Sequence, residues 1–165
     1  MRLNLREIIN IPGGKVSFDY EPDISDMSFD SVLSFRTPLR AKGHIENEAG
    51  VLLLKAELSA DLVCQCARCL KEFEKHIGFH TEAVIAEEVQ DEDNPDIYLL
   101  EGDYVDVDEV IVTAFVLNID QRFLCKEDCK GLCPKCGKNL NDGPCDCKGE
   151  TDPRLAVLSQ LLEKE

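Results

Sequence analysis

Residues 54–69 read LKAELSADLVCQCARC, and this stretch decides the fold. Leu54, Ala56, Leu58, Ala60 and Leu62 are apolar, and Lys55, Glu57, Ser59 and Asp61 between them are polar or small. A period of two puts one set on each side of an extended chain, so the pattern predicts a strand with one buried face. The strand runs into Cys66-Ala67-Arg68-Cys69, where a tight turn is expected. A second alternation follows, with Phe73, Ile77 and Phe79 set against Glu74, His76 and His80. A shorter strand candidate, Arg40 to Glu46, precedes both. Three neighbouring strands suggest an antiparallel β-meander. His76 and His80 fall on the polar face, where a solvated role is expected ahead of metal ligation.

Outward from this centre the signals weaken. Residues 1–30 read as irregular, with an apolar start (Leu3, Leu5, Ile8, Ile9, Ile11) and a turn at Pro12-Gly13-Gly14. Residues 82–109 hold twelve acidic side chains and no lysine or arginine. Their centre, QDEDNPD, reads as a loop, either a solvated linker or a docking site for a basic partner. Asp106 with Glu109 resembles a capping box, and Val107, Val110, Ile111, Ala114 and Leu117 share one face of the helix it predicts. Near the end, Asp152-Pro153 reads as an N-cap and first helical residue, with Leu155, Leu158 and Leu162 as an apolar stripe. The expected organisation is α+β. Residues 1–120 form the strand domain with one helix, 121–149 a cysteine-rich zinc-knuckle module, and 150–165 a short amphipathic helix. No internal repeat longer than the cysteine pairs stands out.

Composition narrows the function. The chain has 165 residues, enough for one core or a core with a small appendage. No run approaches the ~18 apolar residues of a membrane helix, and the N-terminus lacks the pattern of an export signal. A cytoplasmic, membrane-free protein is the expectation. The formal net charge is −15, which repels a phosphate backbone over most of the surface and suits a basic protein partner.

Nine cysteines without an export signal point to metal before disulfides, and the odd count argues against complete pairing. After Cys66 and Cys69 come Cys125, Cys129, Cys133, Cys136, Cys145 and Cys147, six cysteines in 23 residues. Two thiolates three residues apart can face one ion, and Gly137 after Cys136 tolerates the positive φ that such a knuckle requires. Between residues 121 and 149 the only large apolar side chains are Phe123, Leu124, Leu132 and Leu140. They cannot offset an ordering entropy of about 1–2 kcal/mol per residue, whereas one structural zinc contributes roughly 10–16 kcal/mol.

The shorter loop closures favour Cys66, Cys69, Cys125 and Cys129 as one Zn2+ site and Cys133, Cys136, Cys145 and Cys147 as another, with Cys64 spare. The alternative partition groups Cys125 to Cys136 and gives Cys145 and Cys147 to Cys66 and Cys69. Four thiolates leave no open coordination position, so such sites are structural. An iron–sulfur cluster accepts the same donors. A thiol-redox role would need a CxxC opening a helix in a βαβ unit, a pattern that surrounds neither pair. No nucleophile elbow, complete phosphate loop or His-Glu-x-x-His occurs, so no enzyme and no small-molecule substrate is expected.

Val63-Cys64-Gln65-Cys66-Ala67-Arg68-Cys69-Leu70, the run from Leu124-Cys125 through Cys129-Lys130-Gly131-Leu132-Cys133-Pro134-Lys135-Cys136-Gly137-Lys138-Asn139-Leu140-Asn141, then Cys145-Asp146-Cys147 and Asp152-Pro153-Arg154-Leu155 together resemble the bacterial large ribosomal RNA subunit accumulation protein (YceD) family. The resemblance spans nearly the whole chain. It implies a non-catalytic role in ribosome biogenesis, with a pre-ribosomal large-subunit particle or a basic ribosomal protein as partner and ribosomal RNA touched directly or indirectly. Members vary in the C-terminal cysteines, so the second site rests mainly on spacing. A thiol-redox or iron–sulfur protein is the rival from another class, and a zinc-stabilised adaptor unrelated to ribosomes is a third option. From Arg122 to Lys148 there are six basic and four acidic residues, which makes this the least acidic surface. Lys126, Lys130, Lys135 and Lys138 are the expected contacts to RNA or to the particle.

Overall fold

The computed structural model describes residues 1–86 and 97–147. The expected loop at QDEDNPD and the expected C-terminal helix lie outside the described residues. The fold is α+β, and its centre is the expected meander. Strands β1 (Arg2–Asn4), β2 (Lys15–Tyr20), β3 (Val32–Phe35), β4 (Arg40–Glu48), β5 (Val51–Gln65) and β6 (Glu72–Ala86) precede β7 (Ile97–Leu99), β8 (Tyr104–Asp106) and α1 (Val107–Asn118). The main sheet runs β2-β4-β5-β6-β7, with β3 beside β5 where β4 has ended. All its pairings are antiparallel except β6 with β7. A small second sheet pairs β1 with β8.

The alternation read in β5 extends over the whole strand. Leu52, Leu54, Ala56, Leu58, Ala60, Leu62 and Cys64 are buried, beside Ala41 and Ile45 on the same face of β4, and share one core with the apolar side of α1. Ala49 and Gly50 join β4 to β5 as a two-residue turn with φ of 54° and 97°, the left-handed pair that matches strand twist. Gly43 lies opposite Ala56, and a Cβ on it would stand 2.3 Å from the Lys55 carbonyl oxygen, so only glycine fits this approach.

Two expectations are corrected. Residues 1–30 are not wholly irregular, because β1 and β2 form there. Val16, Phe18 and Tyr20 of β2 point inward in a run of six residues, and pairing with β4 supplies the ladder that so short a strand needs. A buried Asn47 then fastens the intervening turn. Its Nδ2 donates to the carbonyls of Ile8 (2.9 Å) and Ile9 (2.6 Å), and its Oδ1 accepts from the Gly50 amide (2.8 Å).

The second correction concerns α1. Asp106 caps the helix as expected, although its carboxylate accepts from Asp108 N rather than from residue 109. Val107, Val110, Ile111 and Ala114 are buried, but Leu117 is 74 % exposed and Phe115 takes the place expected for it. Both residues border the apolar stripe. Phe29, Phe35 and Phe79 ring one border, with centroids 5.6, 6.1 and 6.3 Å from Phe115, and so select the aromatic side chain.

The odd-numbered side of β5 carries Lys55, Glu57, Ser59 and Asp61 along with Val51, Leu53 and Val63, and is partly exposed. On the same face of β6, His76 lies opposite Asp61 and His80 opposite Glu57, both histidines exposed. His76 Nδ1 stands 2.7 Å from Asp61 Oδ1, and neither histidine joins a metal-type cluster among the described residues. No helix among the described residues is long and apolar enough to cross a membrane.

Candidate metal centre

The hairpin of β5 and β6 does not close on an ordinary turn. Residues 66–71, CARCLK, form a loop in which the Cys66 amide donates to the Lys71 carbonyl (2.9 Å) and the Leu70 amide donates to the Cys66 carbonyl (2.9 Å). Residues 133–138, CPKCGK, repeat that circuit. The Cys133 amide donates to the Lys138 carbonyl (2.8 Å) and the Gly137 amide to the Cys133 carbonyl (2.9 Å). The fifth residue of each loop has positive φ, 59° at Leu70 and 72° at Gly137. The sequence therefore does carry a repeat longer than a cysteine pair, Cys-x-x-Cys-x-Lys. It escapes notice because its shared content is backbone hydrogen bonding.

The loops aim amides at sulfur. Burial works to raise the Cys66 thiol, but the amides of Cys125, Cys69 and Arg68 outweigh it and bring it down to about 6. The amides of Cys136 and Lys135 bring Cys133 to about 6 in the same way. The Asn141 side-chain amide, 3.4 Å from Cys129 Sγ, lowers Cys129. Crowding acts oppositely elsewhere. Burial and then the sulfurs of Cys69 and Cys66 push Cys125 up to about 12, and Cys136 followed by burial pushes Cys147 up to about 12. In each group, then, backbone amides favour the ionised form of some thiols while neighbouring sulfurs oppose ionisation of others, a repulsion that a divalent cation relieves.

The eight thiols stand in two groups, Cys66 with Cys69, Cys125 and Cys129, and Cys133 with Cys136, Cys145 and Cys147. Within each group the sulfurs lie within 4.8 Å of one another. Cys66 and Cys129 are 3.8 Å apart, and Cys69 and Cys125 are 3.7 Å apart. A tetrahedron with metal–sulfur bonds of about 2.3 Å has edges of about 3.8 Å, whereas a disulfide needs about 2.05 Å. Both groups can therefore hold one tetrahedral ion each, with donors suited to zinc or a single iron. The alternative partition does not form. Cys64 stays outside both groups, buried on the core side of β5, and burial raises its thiol.

Two residues beyond the cysteines tie the first group together. Arg68 accepts at its carbonyl from the Leu132 amide (3.1 Å), and its Nη1 donates to the carbonyls of Cys129 (2.9 Å) and Glu127 (3.4 Å). Gly131, at φ 74°, packs against Arg68, where an added Cβ would stand 3.0 Å from its carbonyl oxygen. Asn141 bonds Cys129 Sγ while accepting from Lys130 N (3.0 Å), and so links the loop of the second group to a thiol of the first. Sequence reading missed both roles, because a side chain bonding a distant carbonyl or sulfur leaves no periodic signal. Phe123, which accepts at its carbonyl from the Ala67 amide (2.9 Å), is buried under the hairpin end. Lys126, Lys130, Lys135 and Lys138 are all exposed on the cysteine-rich segment.

The family model described as "Large ribosomal RNA subunit accumulation protein YceD" matches residues 54–162, from near the start of β5 across both cysteine groups. The chain belongs to the YceD family. A Bacillus subtilis relative, the uncharacterized protein YlbN, is 24 % identical over 100 % of this chain and 98 % of its own length. An uncharacterized Mycobacterium tuberculosis protein is 28 % identical over 73 % of this chain, which spans 60 % of that relative's length. A chloroplastic YCED homolog of Arabidopsis thaliana is 38 % identical over 36 % of this chain and 19 % of its own length. No solved structure matches significantly. Membership in the YceD family gives the chain a ribosome-related role.

Proposed function

We propose that the chain is a non-catalytic ribosome biogenesis factor that supports accumulation of large-subunit ribosomal RNA. In this reading two structural Zn2+ ions hold the cysteine-rich segment, one on Cys66, Cys69, Cys125 and Cys129 and the other on Cys133, Cys136, Cys145 and Cys147. The family match carries the ribosomal part. The closed four-sulfur geometry supports the non-catalytic part, since a filled tetrahedron leaves no position for water or substrate. The exposed lysines of the segment suit contact with the pre-ribosomal large-subunit particle, and the acidic body suits a basic ribosomal protein.

The test is depletion of the protein, reading the ratio of large- to small-subunit ribosomal RNA, with complementation by wild type and by Cys66→Ser. A fallen ratio restored only by wild type supports the reading; an unchanged ratio refutes it. Metal analysis of the purified chain should return two zinc per molecule. Iron would displace the zinc assignment, and iron with sulfide would bring the redox reading forward.

A further inference from the structure

On the side of the main sheet away from α1, the alternation that keeps polar side chains outward breaks down at one end. Leu53 lies opposite Val84, and Val84 opposite Ile97, in one row across β5, β6 and β7. Ala86 lies opposite Leu99 in the next row, and Val51 opens β5 beside them. Their chain neighbours Leu52, Ile85 and Tyr98 belong to the core or pack on it, so these six point the other way. Among the described residues none of the six joins a buried cluster or packs against one. Val51 is 47 % exposed and Leu99 55 %, and the other four are half-buried. Single exposed apolar side chains are ordinary, but a contiguous set over three strands marks an interaction surface.

Charge indicates what covers it. Glu46 and Glu48 of β4 lie opposite Leu53 and Val51, and Glu82 precedes Val84 by two residues on the same side of β6. Lys15 and Lys55 pair with Glu46 and Glu48. The end of β6 and all of β7 fall within residues 82–109, which hold twelve acidic side chains and no lysine or arginine. The patch therefore sits in the most anionic part of the chain. Such a field draws in a cationic partner. It repels a phosphate backbone, and it repels a second copy, which would bring the same carboxylates face to face.

We propose that the outward patch on β5, β6 and β7 docks a basic amphipathic segment of a partner protein, with its apolar side chains on the patch and its lysines or arginines over the acidic surround. This deepens the reading above, in which the acidic body suits a basic protein, by naming the surface. The apolar centre supplies the affinity, and the charges supply fast encounter and select against acidic partners. The patch lies at the opposite end of β5 from the Cys66–Lys71 loop, so docking leaves both cysteine groups free.

The test places a photo-crosslinking amino acid at Leu99 of the full-length chain in cells, with the same residue at exposed Thr113 of α1 as the control, and maps the cross-linked peptide by mass spectrometry. The expected product is a protein segment whose basic residues flank apolar ones. That segment, synthesised and titrated against the metal-loaded chain, should bind more weakly as salt is raised. Leu53→Thr and Leu99→Thr keep strand propensity and should each weaken it about tenfold, the order expected for losing one buried leucine. Both variants should melt within about 3 °C of wild type, since neither side chain packs on the core. Cross-links to a second copy, to nucleic acid or to a segment without the basic flank overturn the proposal, as does a yield at Leu99 no higher than at Thr113. A clearly lowered melting temperature in either variant overturns it too, because the chain itself then covers the patch. The depletion test of the ribosomal reading makes no use of this surface, so the two can fail separately.

Discussion

Arg68→Ala tests whether the first cysteine group is assembled by the hairpin rather than by the cysteines alone. The substitution keeps the backbone carbonyl that accepts from Leu132 and removes the guanidinium that holds the Cys129 carbonyl at 2.9 Å and reaches that of Glu127 at 3.4 Å. The shorter bond counts in full and the longer lies at the edge of hydrogen-bond range. A bond from a charged donor is worth roughly 1.5–3 kcal/mol, and the exposure of Arg68 discounts the pair to about 1–2 kcal/mol. That loss falls on the placement of Cys129, so affinity for metal at the first group should drop about tenfold. The second group bonds nothing on the Arg68 side chain and should be unchanged. Stepwise competition of the loaded protein with a chromogenic chelator resolves the two affinities. Arg68→Lys should fall between, since an ammonium lacks the planar fork. If both affinities stay within about twofold of wild type, or both fall equally, the clamp reasoning is wrong.

Further outcomes follow from the sheet. Gly43→Ala sets a Cβ 2.3 Å from the Lys55 carbonyl oxygen and 2.8 Å from Ala56 Cα, so β4 and β5 must part. Overpacking with weakened ladder bonds should cost about 2–4 kcal/mol in urea unfolding, and a loss under about 0.5 kcal/mol would show the strands can yield. Asn47→Leu leaves the Ile8 and Ile9 carbonyls and the Gly50 amide without their partner, an expected loss of about 3 kcal/mol with protease sensitivity appearing first near residues 8–14. Tyr20 donates to Asp108 Oδ1 (2.8 Å), and burial followed by the Asp106 charge raises it from 10.0 to about 12. Because the folded value is raised, the stability from Tyr20 is complete below pH 10 and lost as pH climbs toward about 12. Ultraviolet titration of wild type against Tyr20→Phe should show that one late phenol, and its ionisation near pH 10 would refute the burial argument.

Sequence legibility tracked the range of the interaction. The β5 alternation, the turn at Pro12-Gly13-Gly14 and the Asp106 cap are local, and each was readable within a few residues. Leu117 and Phe115 both border the helical stripe, and three aromatic rings from distant segments decided between them. Strand β2 is short and follows a glycine-rich turn, so its alternation acquires meaning only beside β4. Arg68 and Asn141 read as ordinary polar residues until the chain folds back on itself.

By itself the sequence determined that Cys66 and Cys69 sit at a hairpin tip, that eight thiols come in pairs suited to metal, and that the chain resembles the YceD family. These are statements about neighbours along the chain, where spacing and periodicity act directly. Only the tertiary structure decided which pairs meet. Cys69 and Cys125 are 56 positions apart, and spacing alone leaves two partitions open. The Arg68 clamp, the Ala67–Phe123 bond and the seat of Gly131 against the hairpin bring the cysteine-rich segment onto the first knuckle, and that packing selects one grouping.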